Sequence, residues 1–232
     1  MSWTPRGIIT ALLTPFHEDG ALDLDTLRTR IAWQLDRGIH GLLVGGVSGE
    51  YVNLSPEERR QVVRTAVEAV AGRVPVIAGI LEPNTRQAVA AAKDFEALGG
   101  QALLLLTPYH NLPTPAGVLN HFLTVHDATA LPILLYNNPG RTGIDMDLAL
   151  QAELAGLPRV IGVKECRRDL AIVSEQIRRA RPGFAVLSGE DDLALATFVL
   201  GGPGAILTGG NILPTLFMDV FHLVERGEVA KA

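Results

Sequence analysis

The sequence predicts a closed (β/α)8 TIM barrel, on three observations. Short apolar runs recur eight times along the 232 residues, and each is followed by a helical pattern. The runs are apolar throughout rather than alternating, as in parallel strands buried on both faces. No long linker or low-complexity segment breaks the alternation. Strand–helix repetition builds a parallel sheet, and eight regular units favour closure over the rival, an open doubly wound sheet. Residues 1–232 are therefore read as a single barrel domain.

The strands are expected at 7–14, 41–46, 75–80, 102–107, 132–137, 160–166, 185–189 and 204–210. Leu24, Leu27, Ile31 and Leu35 make an apolar stripe at helical spacing after the first. Ser55-Pro56-Glu57-Glu58 is a capping box with proline at the first helical position, and it opens the helix after the second. Leu170, Val173 and Ile177 repeat the stripe later, and a last helix begins at about Pro214.

Composition narrows the function. The chain is 47% hydrophobic with a mean hydropathy of +0.24, yet no apolar run approaches the roughly 18 residues of a membrane span. A net charge of −5 without a basic block argues against nucleic acid. The one cysteine, Cys166, excludes an intrachain disulfide and suits a reducing cytoplasm. The first residues lack the shape of a signal peptide. His17, His40, His110, His121, His126 and His222 show no zinc-binding spacing.

Lysine is scarce here, three against seventeen arginines, and only Lys164 falls inside a strand. A lysine head in an apolar surround loses hydration, which favours the neutral amine that attacks carbonyls. A lysine at a strand end can equally send its head to water or to a carboxylate. Function in a barrel gathers at the C-terminal strand ends. Those ends carry Gly45 to Glu50, Glu82, Thr107 to His110, Tyr136 to Arg141, Lys164-Glu165, Gly189 to Asp192 and Thr208 to Asn211.

Each constellation has two readings. Gly45 to Glu50 can gather N–H groups and the Ser48 hydroxyl on an anion, or be a tight turn with Ser48 capping locally. Tyr136 can shuttle a proton or pack the rim. Arg141 suits a carboxylate, or is one surface arginine of many. Glu190, Asp191 and Asp192 look like a hard-metal cluster, but Asp191 or Asp192 is better read as capping the helix that follows. Cys166 shares the face of Lys164 and reads as a small buried residue.

Several segments together resemble the dihydrodipicolinate synthase and N-acetylneuraminate lyase family. They are residues 7–16, Gly-x-Ser-Gly-Glu at 46–50, Tyr-Asn-Asn-Pro-Gly-Arg-Thr-Gly at 136–143, Gly-Val-Lys-Glu at 162–165, Leu-Ser-Gly-Glu-Asp at 187–191 and 204–211. The resemblance spans essentially the whole chain. It implies Schiff-base chemistry on pyruvate or a related 2-oxo acid with an aldehyde, without metal or organic cofactor, in a homodimer or homotetramer. It assigns Lys164 the imine, Tyr136 the proton transfers, and Ser48 with Gly49 the keto-acid carboxylate. Arg141 takes the carboxylate of the aldehyde substrate, and the Ile206 backbone lines the pocket.

Three departures qualify it. Val47-Ser48 stands where the synthases have two threonines, so one hydroxyl of their proton relay is missing. Tyr109 and His110 stand where they have two tyrosines, which makes both candidate relay residues. The family also continues past the barrel with a helical C-terminal region. The lead expectation is a pyruvate-dependent lyase of the synthase branch. The alternatives are an aldolase or dehydratase for 2-keto-3-deoxy sugar acids, and a non-catalytic keto-acid-binding paralogue.

Overall fold

In the computed structural model, which describes residues 3–232, eight parallel strands close into one barrel in chain order. The elements run β1 (Gly7–Ala11), α1 (Leu24–Leu35), β2 (Gly41–Val44), α2 (Pro56–Val70), β3 (Val76–Ile80), α3 (Thr85–Ala97), β4 (Ala102–Leu106) and α4 (Pro115–Ala128). They continue with β5 (Ile133–Asn137), α5 (Pro139–Thr142), α6 (Leu148–Ala155), β6 (Val160–Glu165), α7 (Leu170–Arg179), β7 (Ala185–Ser188), α8 (Ala194–Val199), β8 (Gly204–Leu207) and α9 (Pro214–Glu225).

Closure is the pairing of β1 with β8, from Gly7↔Gly204 to Thr10↔Leu207. Asn211 fastens this seam at the mouth. Its Nδ2 donates to the Ala11 and Thr208 carbonyls, and its Oδ1 accepts from Leu13 N. The open-sheet rival is thereby excluded.

Several strands stop short of their expected ends, and the residues beyond them make the mouth. β2 ends at Val44 because Gly45 takes φ +63, which turns the chain out of the sheet. β5 ends at Asn137, as expected. The capping box holds as read: Ser55 accepts from Glu58 N, and the Glu58 carboxylate accepts from Ser55 N. Leu27, Ile31 and Val173 carry the expected stripes inward, whereas Leu170 opens α7 at the rim and is exposed. Among the described residues no helix is long and apolar enough to cross a membrane.

The core is apolar on both sides of the sheet, and each fully buried Leu, Ile or Val contributes about 2 kcal/mol. His121 of α4 is an exception, only 2% exposed. Its Nδ1 meets Thr85 Oγ1 at 2.9 Å, while Nε2 is buried without a partner. Burial alone pulls the imidazole down from 6.5 to about 4. The unfolded chain therefore binds more protons between those values, so stability is full above pH 6.5 and falls as pH drops toward 4. The loss attributable to His121 is about 3 kcal/mol. Urea midpoints measured across that window should show it, and His121→Asn should have the shallower slope.

Candidate active site

β6 brings Lys164 to the barrel mouth. Its Cα pairs in register with Tyr136 on β5 and with Leu187 on β7, so these side chains share one face. Thr10, on the other face of the sheet, hydrogen-bonds Gln34 of α1, so the face of Lys164 is the interior. Lys164 is 6% exposed. Among the described residues its amine has no ion-pair partner, which answers the carboxylate alternative raised by the sequence. Instead Nζ lies 4.5 Å from the centroid of the Tyr136 ring.

Tyr136 is buried, and its Oη accepts from Asn138 Nδ2 at 3.0 Å. Burial raises the phenol above its ordinary value, and the charge on Lys164 pulls the other way. Cys166 and the lysine stem lie over Gly189. A Cβ there would meet Cys166 Sγ at 2.2 Å and Lys164 Cε at 3.0 Å, so no larger residue fits. Burial pushes the Cys166 thiol up to about 12, which leaves it an inert neighbour, as expected for a small buried residue.

Ser48 does not cap its own turn. Its Oγ lies 2.7 Å from Thr208 Oγ1, which joins the loops after β2 and β8 across the mouth. The Gly49 carbonyl accepts from Thr14 Oγ1 at 2.7 Å, and the fully buried Ile206 of β8 pairs with Ile9. Neither Asp191 nor Asp192 caps a helix. The Asp191 carboxylate accepts from Gly209 N through both oxygens, and Asp192 pairs with Arg168. Among the described residues no group of three or more His, Cys, Asp or Glu side chains is arranged to hold a metal ion.

A cavity of about 180 Å3 opens on the β2–β5 side, walled by Val47, Tyr51, Leu81, Leu106 and Tyr109. Arg141, at the end of the short α5, lines it; it is exposed, and among the described residues its guanidinium has no partner. Tyr109 donates to the Leu81 carbonyl at 3.0 Å. His110, exposed at φ +71, faces a separate depression with Asn84 and His121. Within this chain neither is hydrogen-bonded to Tyr136.

Sequence reasoning gave no role to six residues. Thr208 and Glu82 were visible only as members of the mouth, and Tyr51 and Arg59 were not singled out. Tyr51 Oη donates to Glu82 at 3.3 Å, and Arg59 pairs with Glu82 while its guanidinium stacks 3.8 Å from the Tyr51 ring centroid. Asn138 follows a strand end, where nothing signals that its amide turns back to the phenol. The outward-facing Glu165 is the sixth.

The sequence and the fold have counterparts among known proteins. A family model described as dihydrodipicolinate synthetase matches residues 4–232. The chain belongs to that family. It is 43% identical to a 4-hydroxy-tetrahydrodipicolinate synthase of Maridesulfovibrio salexigens over 99% of this chain and 78% of that protein. Its fold superposes on dihydrodipicolinate synthase from Aquifex aeolicus with a TM-score of 0.95 at 34% identity, covering 98% of this chain and 78% of the other. A chloride-inhibited dihydrodipicolinate synthase from Acinetobacter baumannii, solved with pyruvate, gives 0.95 at 33% identity, again over 98% and 78%. Family membership thus agrees with the barrel fold.

The Ser48 turn rests on a close approach. A Cβ on Gly79 would lie 2.2 Å from the Gly45 carbonyl oxygen, a backbone atom. Gly79→Ala should therefore displace the turn and lower stability by about 2 kcal/mol. Gly140→Ala, whose nearest neighbour would be 3.9 Å away, should be close to neutral in the same urea titration.

Proposed function

We propose that this chain condenses pyruvate with aspartate semialdehyde through an imine on Lys164, the activity of a 4-hydroxy-tetrahydrodipicolinate synthase. The observation that carries the reading is a buried lysine without a counter-ion, in register with a buried tyrosine at a barrel mouth. The neutral amine attacks C2 of the keto acid, and loss of water leaves a protonated imine. The iminium draws electrons from C3, and removal of a C3 proton gives an enamine. The enamine carbon then bonds the aldehyde carbon, whose oxygen takes up a proton. Tyr136, with its hydroxyl held by Asn138, is placed to carry these protons.

Ser48, Gly49 and Thr208 supply the polar side of the mouth for the pyruvate carboxylate, and the Ile206 backbone floors the pocket. Arg141 offers an uncommitted cation to the carboxylate of the second substrate. Tyr109 and His110 act, in this reading, only where a second copy of the chain in a homodimer or homotetramer meets the outer depression.

A second reading keeps the imine and changes the partner to a 2-keto-3-deoxy sugar acid. It is favoured by the separation of His110 from Tyr136 within the chain. Pyruvate release or dehydration from a panel of such acids would select it. Imine formation without turnover on any aldehyde would instead mark a binding protein.

Two outcomes test the lead reading. Borohydride added with pyruvate should leave a reduced pyruvyl adduct on Lys164, read by peptide mass spectrometry and absent from Lys164→Ala; a well-folded chain without adduct overturns the imine. Arg141→Ala should form the same adduct at an unchanged rate while KM for the semialdehyde rises roughly tenfold or more, the size of a lost charged hydrogen bond. Equal loss of both would remove the assignment of Arg141.

A further inference from the structure

The barrel wall behind the amine holds a carboxylate that the chemistry above does not use. Glu165 follows Lys164 on β6 and points the other way, under the helices, where it is 3% exposed. The same outward face of β5 and β6 is apolar further down, at Leu135 and Val163, which pair in register. The next outward pair is Asn137 and Glu165. Polarity thus begins at the rung beside Tyr136 and Lys164, where plain packing would call for another apolar pair.

The carboxylate is fully engaged. Glu165 Oε1 accepts from Asn137 Nδ2 at 2.9 Å and from Arg167 N at 2.8 Å. Oε2 accepts from Gln176 of α7, and more weakly from Gln151 of α6 at 3.4 Å and Arg167 Nη2 at 3.5 Å. Asn137 in turn donates to Asp145 and accepts from Met146 N, each at 3.0 Å. Gln151 and Arg167 both donate to the Met146 carbonyl. One charge therefore ties the ends of β5 and β6 to α6, α7 and the loop between α5 and α6.

A buried charge is a poor source of bulk stability compared with an apolar pair, but it fixes one geometry when every lone pair has a donor. The geometry fixed here is the rung on whose inner side the amine meets the phenol. We propose that Glu165 is a positioning residue for the imine step: it clamps the ends of β5 and β6 so that Lys164 and Tyr136 keep their register while the nitrogen gains and loses charge. This rests on the Schiff-base reading of Lys164.

The test is Glu165→Gln in the full chain. The amide keeps the shape, but its NH2 must face Asn137 Nδ2 or Gln176 Nε2, both donors. The rate of borohydride trapping at saturating pyruvate should fall about ten- to a hundredfold, the scale of an ångström-sized misplacement. The pyruvate concentration for half-maximal trapping, set on the Ser48 side, should move less than about threefold by the same argument. Glu165→Asp, which keeps the charge, should recover part of the rate. Should Glu165→Gln not fold, Gln176→Leu removes one outer donor and should slow trapping several-fold in the same sense.

A folded variant that traps at the wild-type rate overturns the inference, as does a loss that merely tracks the unfolded fraction seen by circular dichroism. Absence of adduct in the unsubstituted chain overturns the Schiff-base reading and this inference with it. An adduct that forms equally fast with and without Glu165 overturns this inference alone.

Discussion

The phase of β6 against β5 is the constraint on which the rest of the site depends. Successive strand residues face opposite sides of a sheet, so a slip of one residue would turn Lys164 out under the helices and Glu165 into the barrel. The pairing is irregular at one place: Ile133 pairs with Val160, but Leu134 already pairs with Gly162. The residue passed over is Ile161. A bulge of this kind re-aims the side chains beyond it. From Gly162 onward the ladder runs without further shift to Tyr136↔Lys164 and Asn137↔Glu165. Interior chemistry and exterior clamp are thus two sides of the same two rungs.

The two sides are treated in opposite ways. Burying an ionised group costs several kcal/mol unless it is paired and hydrogen-bonded. Glu165 meets that requirement with donors from Asn137, Arg167, Gln151 and Gln176. Lys164 does not: its neighbours are the Tyr136 ring, Cys166 and the Gly189 backbone. A carboxylate that accepts so many bonds is held in place. An amine left without a counter-ion is free to change its bonding, which a nucleophile must do.

Much of this was legible in the sequence because it rests on local pattern. Eight apolar runs with helical stretches between them specify the barrel, and the Ser55 capping box specifies one helix start to the residue. Lys164 was conspicuous because lysine is rare and strand-borne here. What was not legible depends on which loop tips meet. Ser48 and Thr208 are 160 residues apart, and only closure of β1 on β8 brings them to 2.7 Å. Asp191 looks like a helix cap by local rules, but the pairing of β7 with β8 places Gly209 N within its reach, and a distant backbone donor wins over a local one. His110 shows the converse. Its position in the motif makes it a candidate relay residue, and local rules do not reveal that it takes a positive φ and lines the depression shared with His121.

The mouth is also chemically divided, and the division bears on how two substrates can be kept apart. On the β8–β2 side the exposed groups are hydroxyls and backbone, with Ser48 and Thr208 bonded to one another. On the β2–β5 side the wall is Val47, Val52, Leu81, Leu106 and Tyr109, with Arg141 lining the same cavity. A small keto acid whose carboxylate replaces the Ser48–Thr208 bond loses little on entry, because each hydroxyl exchanges one partner for another. The apolar wall gives a hydroxylated chain few groups to replace its lost water, whereas a short aldehyde with a terminal carboxylate needs only the guanidinium. Val47 stands at the boundary between the two regions, next in sequence to Ser48. A hydroxyl there would extend the polar side toward Arg141; a methyl group instead keeps the regions distinct.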